Sequence, residues 1–356
     1  MIKQKYPCLN MFYGKQKKSQ IEVQFNWVFI LIVGAIILLF FIAVVDAQKK
    51  AADKKLAFDI LGKIDLIISG ALTIPKTGQI FDMPKIDFNL GCDRITALGI
   101  DKQFQDRIVF GPDLLKGRQM IVWSQDWNVP YKTANFLYMT TENVRYVIYY
   151  NTAKRSAEEL FLALPDNITK EVINYRDFKN LGDKNNYKIK LIFFEDTPVS
   201  TITNNDFLPN FIKNMGDDSV SAVQLINYPN DAVRFFVKKG NKLQEFGYLP
   251  ITIVGDPLKY GAVFSENREL FNCSYYKAFK RLLYVSQIYA EREKNLEMDY
   301  KDNPDCKSVS RAYSDILEIV EAANSTPPDI EKITNKMTII NNINRQVLEK
   351  SCAAVY

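Results

Sequence analysis

Between Phe25 and Val45 the chain runs for 21 residues without a charged side chain, FNWVFILIVGAIILLFFIAVV. Wound as an α-helix at ~1.5 Å per residue, the run is about 31 Å long, enough to cross a hydrocarbon core. A secretory signal carries an apolar region of only about 7–15 residues, so this length predicts a permanent anchor rather than a cleaved leader. Val45-Asp46-Ala47 is a loose small-x-small match for a cleavage site. Asn26 and Trp27 stand at the inner end, where an amphipathic ring suits the headgroup layer. The bilayer is therefore the first expected partner, through residues 25–45.

Orientation follows from the flanks. Lys3, Lys5, Lys15, Lys17 and Lys18 precede the run, and Asp46, Lys49, Lys50, Asp53, Lys54 and Lys55 follow it. Five lysines against four place the tail inside by the positive-inside rule. The cysteines agree, since Cys8 lies before the run and Cys92, Cys273, Cys306 and Cys352 lie after it. An even number on one side is what an oxidised, exported domain shows. Three Asn-x-Ser/Thr triplets, at Asn167, Asn272 and Asn324, also fall only after the run, although an Asn-rich chain makes such triplets by chance. The expected topology is a cytoplasmic N-terminus and an external C-terminal domain on a single span.

Charge and residue types narrow the chemistry. The tail's five lysines and Glu22 account for +4 of the net +5, which leaves the rest of the chain nearly neutral. A sequence-blind nucleic-acid binder needs a basic face, so no nucleic-acid partner is expected. The chain has no histidine. That excludes Ser-His-Asp and Cys-His nucleophiles, imidazole acid–base catalysis and His-built metal sites. Nucleotide-binding glycine loops and the Gly-x-Ser-x-Gly elbow are missing as well, and no cofactor is expected.

Several stretches look similar to known proteins. Gln20-Ile21-Glu22, Gln24-Phe25-Asn26-Trp27 and Gly34-Ala35-Ile36-Ile37-Leu38 resemble the opening of uncharacterised single-pass archaeal membrane proteins. Trp123-Ser124-Gln125-Asp126-Trp127-Asn128-Val129-Pro130-Tyr131, Ala134-Asn135-Phe136-Leu137-Tyr138 and Ala278-Phe279-Lys280-Arg281-Leu282 are similar to the same group. This resemblance implies location and architecture only. Lys17-Lys18 followed by Glu22 and the apolar run more loosely resembles type IV pilin-like proteins, but no Gly or Ala precedes a clear processing point.

The expected fold class is α/β. A basic tail (1–24) leads into a transmembrane helix (25–45), which continues as a stalk helix (46–69). A mixed α/β domain (70–265) and a three-helix segment (266–356) follow. In the stalk, Phe58, Leu61, Ile64 and Ile68 are expected to share one face. Short strands broken by Gly and Pro fill the stretch up to Trp123. From Val144 strands and helices alternate, which implies some parallel pairing, and Gly240-Asn241 reads as a hairpin turn. Tyr276, Phe279, Leu282, Leu283, Ser286, Tyr289 and Leu296 should form one buried helical face, and Pro327-Pro328 should begin the last helix. There Ile330, Ile333, Met337, Ile340, Asn344 and Val347 keep heptad spacing, which predicts packing against the neighbouring helices over a partner coiled coil.

Four residues are ligand candidates. Glu195 and Asp196 follow IKLIFF, at the carboxyl end of a strand where open α/β sheets place ligands; the competing reading is that they cap the next turn. Asp217-Asp218 reads as a turn. Trp123 and Trp127, with Tyr131, would make an aromatic platform for a sugar or peptide, or else close a core. For the cysteines, a helix from Cys273 to about Tyr300 spans roughly 40 Å, too far to bridge Cys273 to Cys306. The next helix returns and the last climbs again, which sets Cys352 beside Cys306 and leaves Cys273 next to the domain that holds Cys92. The predicted pairs are therefore Cys92–Cys273 and Cys306–Cys352. The expected function is a tethered, non-catalytic structural, assembly or binding module, with protein partners meeting the stalk or the C-terminal helices. The alternatives are an exported carboxylate-dependent hydrolase and a pilin-like subunit of a surface filament or secretion system.

Overall fold

The computed structural model describes residues 18–73, 78–84, 86–227, 230–307 and 312–356. Lys3, Lys5, Cys8, Lys15 and Lys17 lie outside them. The chain divides into two units, residues 1–56 and 57–356. In the first, helix α1 (Lys18–Thr73) begins, and its apolar side chains from Trp27 to Val45 are almost all exposed. This helix is long and apolar enough to cross a membrane.

The second unit starts inside the same helix. Ala57, Ile60, Leu61, Ile64, Ile68 and Ala71 are buried, at spacings of three and four that make one helical stripe. Phe58 was expected on that stripe and is exposed instead. One residue past Ala57 turns the side chain about 100° away, and Phe58 shares the outer face with Leu66. The last part of the expected stalk is thus the core helix of the head.

Short strands follow: β1 (Gln79–Asp82), β2 (Phe88–Leu90), β3 (Arg94–Ala97), β4 (Ile100–Gln103), β5 (Ile108–Phe110) and β6 (Leu114–Leu115). Two long ones come next, β7 (Gln119–Asn128) and β8 (Lys132–Thr141). They form two four-stranded sheets, ordered β1-β7-β8-β5 and β4-β3-β2-β6. In the first, alternate residues serve different cores. Met120, Val122, Leu137 and Met139 face a core shared with α1, while Ile121, Trp123, Phe136 and Tyr138 face the central core.

The larger sheet is built from β9 (Val144–Tyr150), β10 (Thr169–Asn174), β11 (Lys188–Phe194), β12 (Val220–Ile226), β13 (Ala232–Lys239), β14 (Lys242–Glu245) and β15 (Ile251–Thr252). Its order is β10-β9-β11-β12-β13-β14, with β15 also on β13. The first four strands run parallel and the rest antiparallel. The crossovers carry α2 (Lys154–Ala163) and the short α3 (Val199–Ile202) and α4 (Asn210–Asn214). Parallel strands covered on both faces need apolar residues throughout, which is why VRYVIYY and KIKLIFF scarcely alternate. Gly240 turns the β13–β14 hairpin with a positive φ of 58°.

After β15 comes a helix the sequence reading did not anticipate, α5 (Asp256–Phe264), which lies over the central core. It approaches so closely that a Cβ on Gly261 would sit 2.8 Å from the Phe110 ring. The long α6 (Arg268–Asp299), the single turn α7 (Pro304–Lys307), α8 (Tyr313–Asn324) and α9 (Ile330–Glu349) complete the chain. Asn267 caps α6 by accepting from the Glu269 and Leu270 N–H groups, both at 3.0 Å. The buried stripe of α6 runs through Phe271, Tyr275, Ala278, Phe279, Leu282 and Ser286, so Tyr276 lies outside it and is exposed.

Pro327 and Pro328 precede α9 rather than starting it. Asp329 is the cap, accepting from the Lys332 N–H at 3.0 Å. Along α9, Ile330, Ile333, Ile340 and Val347 are buried against the local helices, as the spacing predicts. Asn344 has a separate task, accepting from the Val355 N–H at 2.7 Å and so fixing the chain end.

Candidate functional site

The carboxyl ends of β11 and β12 open into a chamber of about 290 Å³, lined by Phe194, Leu225, Asn227, Asp256, Lys259 and Tyr260 among others. This is where an open parallel sheet places ligands, and it is where Glu195 and Asp196 emerge. The two acids have different surroundings. Glu195 accepts from the Asn227 N–H at 2.9 Å, and its charge is felt at Asp231 together with that of Asp256. Burial pushes the Asp231 carboxyl upward; Lys259 pulls it back, and the two neighbouring carboxylates raise it again.

Asp196 binds backbone. Its carboxylate accepts from the N–H groups of Asn151 (3.2 Å), Thr152 and Ala153 (2.8 Å), and from the Thr152 hydroxyl (3.2 Å). Partial burial would raise its pKa, but these donors outweigh that, and the carboxyl is held below its ordinary value. The turn it caps is not the one that follows, as the sequence suggested. It is the turn Asn151–Ala153 that leads from the neighbouring strand β9 into α2, at the end of the helix whose dipole favours a negative charge.

The far end of α2 is held by the opposite charge. Lys170 of β10 donates to the carbonyls of Phe161 at 2.8 Å and Leu164 at 2.6 Å. Lysines do this elsewhere in the sheet. Lys190 of β11 donates to Ser265 O (2.6 Å) and Glu266 O (3.2 Å) at the end of α5, and Lys238 of β13 donates to Met215 O (2.7 Å) at the end of α4. Lys188 reaches Asp113 and, at 2.8 Å, Glu266. Lys188, Lys190 and Lys238 are each buried, which is costly for a charge unless it is paired and hydrogen-bonded. Burial lowers the Lys190 ammonium to about 7. In Lys188 the two carboxylates overcome the same effect and hold the charge.

These lysines border the amino end of the sheet, where a second chamber of about 420 Å³ is lined by Asp113, Asp217, Ser221, Lys238, Glu266 and Asn267 among others. Asp217 forms the turn expected of it, accepting from the Gly240 N–H and from Lys238, both at 3.1 Å. Sequence reasoning missed this end entirely. The available signal was Lys188 and Lys190 two residues apart in a strand otherwise apolar, a spacing that puts both on one face.

Trp123 and Trp127 form no surface platform, because both rings are buried in the central core. Trp127 stacks on Phe136, meets Phe279 edge-on and donates its indole N–H to Val254 O at 3.0 Å. Trp123 packs against Tyr138 and Tyr260. Tyr131 is likewise buried and bonds Ser286.

Cys92 is bonded to Cys273 and Cys306 to Cys352, with Cα separations of 5.6 and 5.8 Å. Among the described residues no group of three or more Cys, Asp or Glu side chains is placed to hold a metal ion. No protein-family model matches this chain, and neither a curated protein nor a solved structure matches it. The likeness to archaeal membrane proteins and to pilins therefore rests on the quoted residues alone.

Proposed function

We propose that this chain is a single-pass membrane protein that holds a disulfide-closed head outside the cell membrane as a non-catalytic binding or assembly module. The observation that carries the reading is α1. One helix contains an exposed apolar stretch long enough to cross a bilayer and, from Ala57, the buried core stripe of the head. Two disulfides in the head suit an oxidising compartment. On this reading residues 1–24 are the cytoplasmic tail, 25–45 the span and 46–69 the stalk, whose part from Ala57 is also the core helix of the head. The α/β domain at 70–265 and the helical segment at 266–356 follow. A non-catalytic role is supported by what the sequence's ligand candidates do. Asp196 holds the turn that enters α2, and both tryptophans fill a core. Protein partners would meet the outer face of the stalk, at Phe58 and Leu66, or the exposed side of α6, at Tyr284 and Ile288.

The test is protease added to intact cells making a chain tagged at its N-terminus. The head should be lost and the tag should stay on a fragment that includes the span. A head that survives until the cells are lysed would refute the orientation, and a mature chain beginning near Gln48 would refute the anchor.

A further inference from the structure

Three Asn-x-Ser/Thr triplets follow the membrane run, and the fold treats them unequally. Asn272-Cys273-Ser274 lies inside α6. Its middle residue is bonded to Cys92, and its Ser274 hydroxyl is buried and donates to Val109 O. Presenting this triplet would mean unwinding α6 at a disulfide and exposing a satisfied polar group. Asn324-Ser325-Thr326 is the reverse. It sits where α8 ends, all three residues are exposed, and neither the Asn324 amide nor the Thr326 hydroxyl makes a hydrogen bond among the described residues. Asn167-Ile168-Thr169 is intermediate. Asn167 is exposed in the turn between α2 and β10, and its amide makes one bond of 3.2 Å, to Gly78 O. The Thr169 hydroxyl donates to Glu142 O at 2.8 Å. Neither bond is fully buried, so water takes their place when the turn opens.

From these three geometries we infer that Asn324 and Asn167 accept N-linked oligosaccharide on the folded head, and that Asn272 does not. The donor is a lipid-linked oligosaccharide phosphate on the outer face of the membrane. The Asn amide nitrogen attacks the anomeric carbon of the first sugar. A C–N bond forms as the C–O bond to the phosphate breaks, the lipid phosphate leaves, and the amide gives up one proton to the transferase's base. The hydroxyl two residues on must be free to meet the transferase, which is why the state of Ser274, Thr326 and Thr169 separates the three sites.

This inference rests on the external placement of the head, and its test keeps the two apart. Full-length protein isolated from its native membranes is digested, and the peptides containing Asn167, Asn272 and Asn324 are weighed. Protease access to the head is measured on intact cells in parallel. The expected result is glycan mass on both the Asn324 and the Asn167 peptides, lost in Asn324→Gln and Asn167→Gln respectively, with Asn272 bare. An accessible head with either surface asparagine bare, or with glycan on Asn272, overturns the site assignment alone. A head protected in intact cells and bare at all three overturns the orientation and this inference together.

Discussion

Asp196 and Lys170 grip opposite ends of one helix. The carboxylate holds the N–H groups of the turn that enters α2, and the ammonium holds the carbonyls at its finish. Each charge has the sign that its end of the helix dipole favours. Lys170 belongs to β10 and Asp196 follows β11 by two residues, so the pair ties both approaches of the helix to the large sheet.

Asp196→Ala should therefore lower the stability of the head by about 1–2 kcal/mol, the worth of hydrogen bonds to a charged group reduced by its partial exposure. The effect should depend on pH. The folded carboxyl titrates below its ordinary value, so its contribution is complete above the unfolded pKa of ~3.9 and fades as pH falls through the folded one. Urea unfolding of wild type and variant at pH 7 and pH 3 checks this. A difference that does not shrink in acid would show that the carboxylate's charge is not what holds this turn.

Lys190 makes the opposite kind of statement. Its folded pKa is about 7 because the side chain is buried, whereas the unfolded chain keeps the ordinary lysine value of ~10.4. Between the two the unfolded state binds more protons, so this group's contribution to stability rises with pH from about 7 to about 10. Wild type should gain on Lys190→Met as unfolding is repeated at pH 7, 8 and 9. A constant gap would mean that the ammonium stays charged, held by the Ser265 and Glu266 carbonyls.

The disulfides close loops of very different size, with sequence separations of 181 and 46. Chain-entropy arguments give upper values of about 5 and about 4 kcal/mol, with measured cases nearer 2–4. Cys92→Ser with Cys273→Ser, and Cys306→Ser with Cys352→Ser, should each lower the denaturation midpoint, and peptide mapping without reductant should return these two pairs. Recovery of Cys273 joined to Cys306 would refute the arrangement.

Trp127 offers a direct test of burial. Replacing it with Ala should cost about 3–5 kcal/mol, as for other large core aromatics. With the span removed from view by changing Trp27 to Phe, emission from Trp123 and Trp127 should be blue-shifted and resistant to iodide. Strong quenching would return these rings to the surface.

Much of this architecture was legible in the sequence, and the failures have physical causes. Long apolar runs and turn signals located the membrane-length helix, the strands and the hairpin. Helix faces read from the sequence fall one residue off at Phe58 and Tyr276, because a large apolar side chain suggests an inward position while the stripe in each case runs one position away. Helix α5 was missed because DPLKYGAVF is short and its Gly261 reads as a breaker, whereas the glycine is there to let the helix approach Phe110. The partners of Asp196 lie more than 40 residues away across a sheet edge, and no local pattern announces a contact of that kind. Lys188 and Lys190 were overlooked for a related reason: a lysine in sequence looks solvated until the fold supplies carbonyls and carboxylates around it.

The Cys92–Cys273 bond also decides what a single cut can do. A nick anywhere from residue 93 to 272 leaves both pieces attached, since the bridge spans the break. From 307 to 351 the second bridge has the same effect. A cut that sheds the head must fall before Cys92, and one that frees the last two helices covalently must fall between 274 and 305, a stretch mostly wound into α6. Severing the disulfide-closed unit from the apolar run therefore takes a cut in the few dozen residues between Val45 and Cys92, however many surface loops a protease can reach.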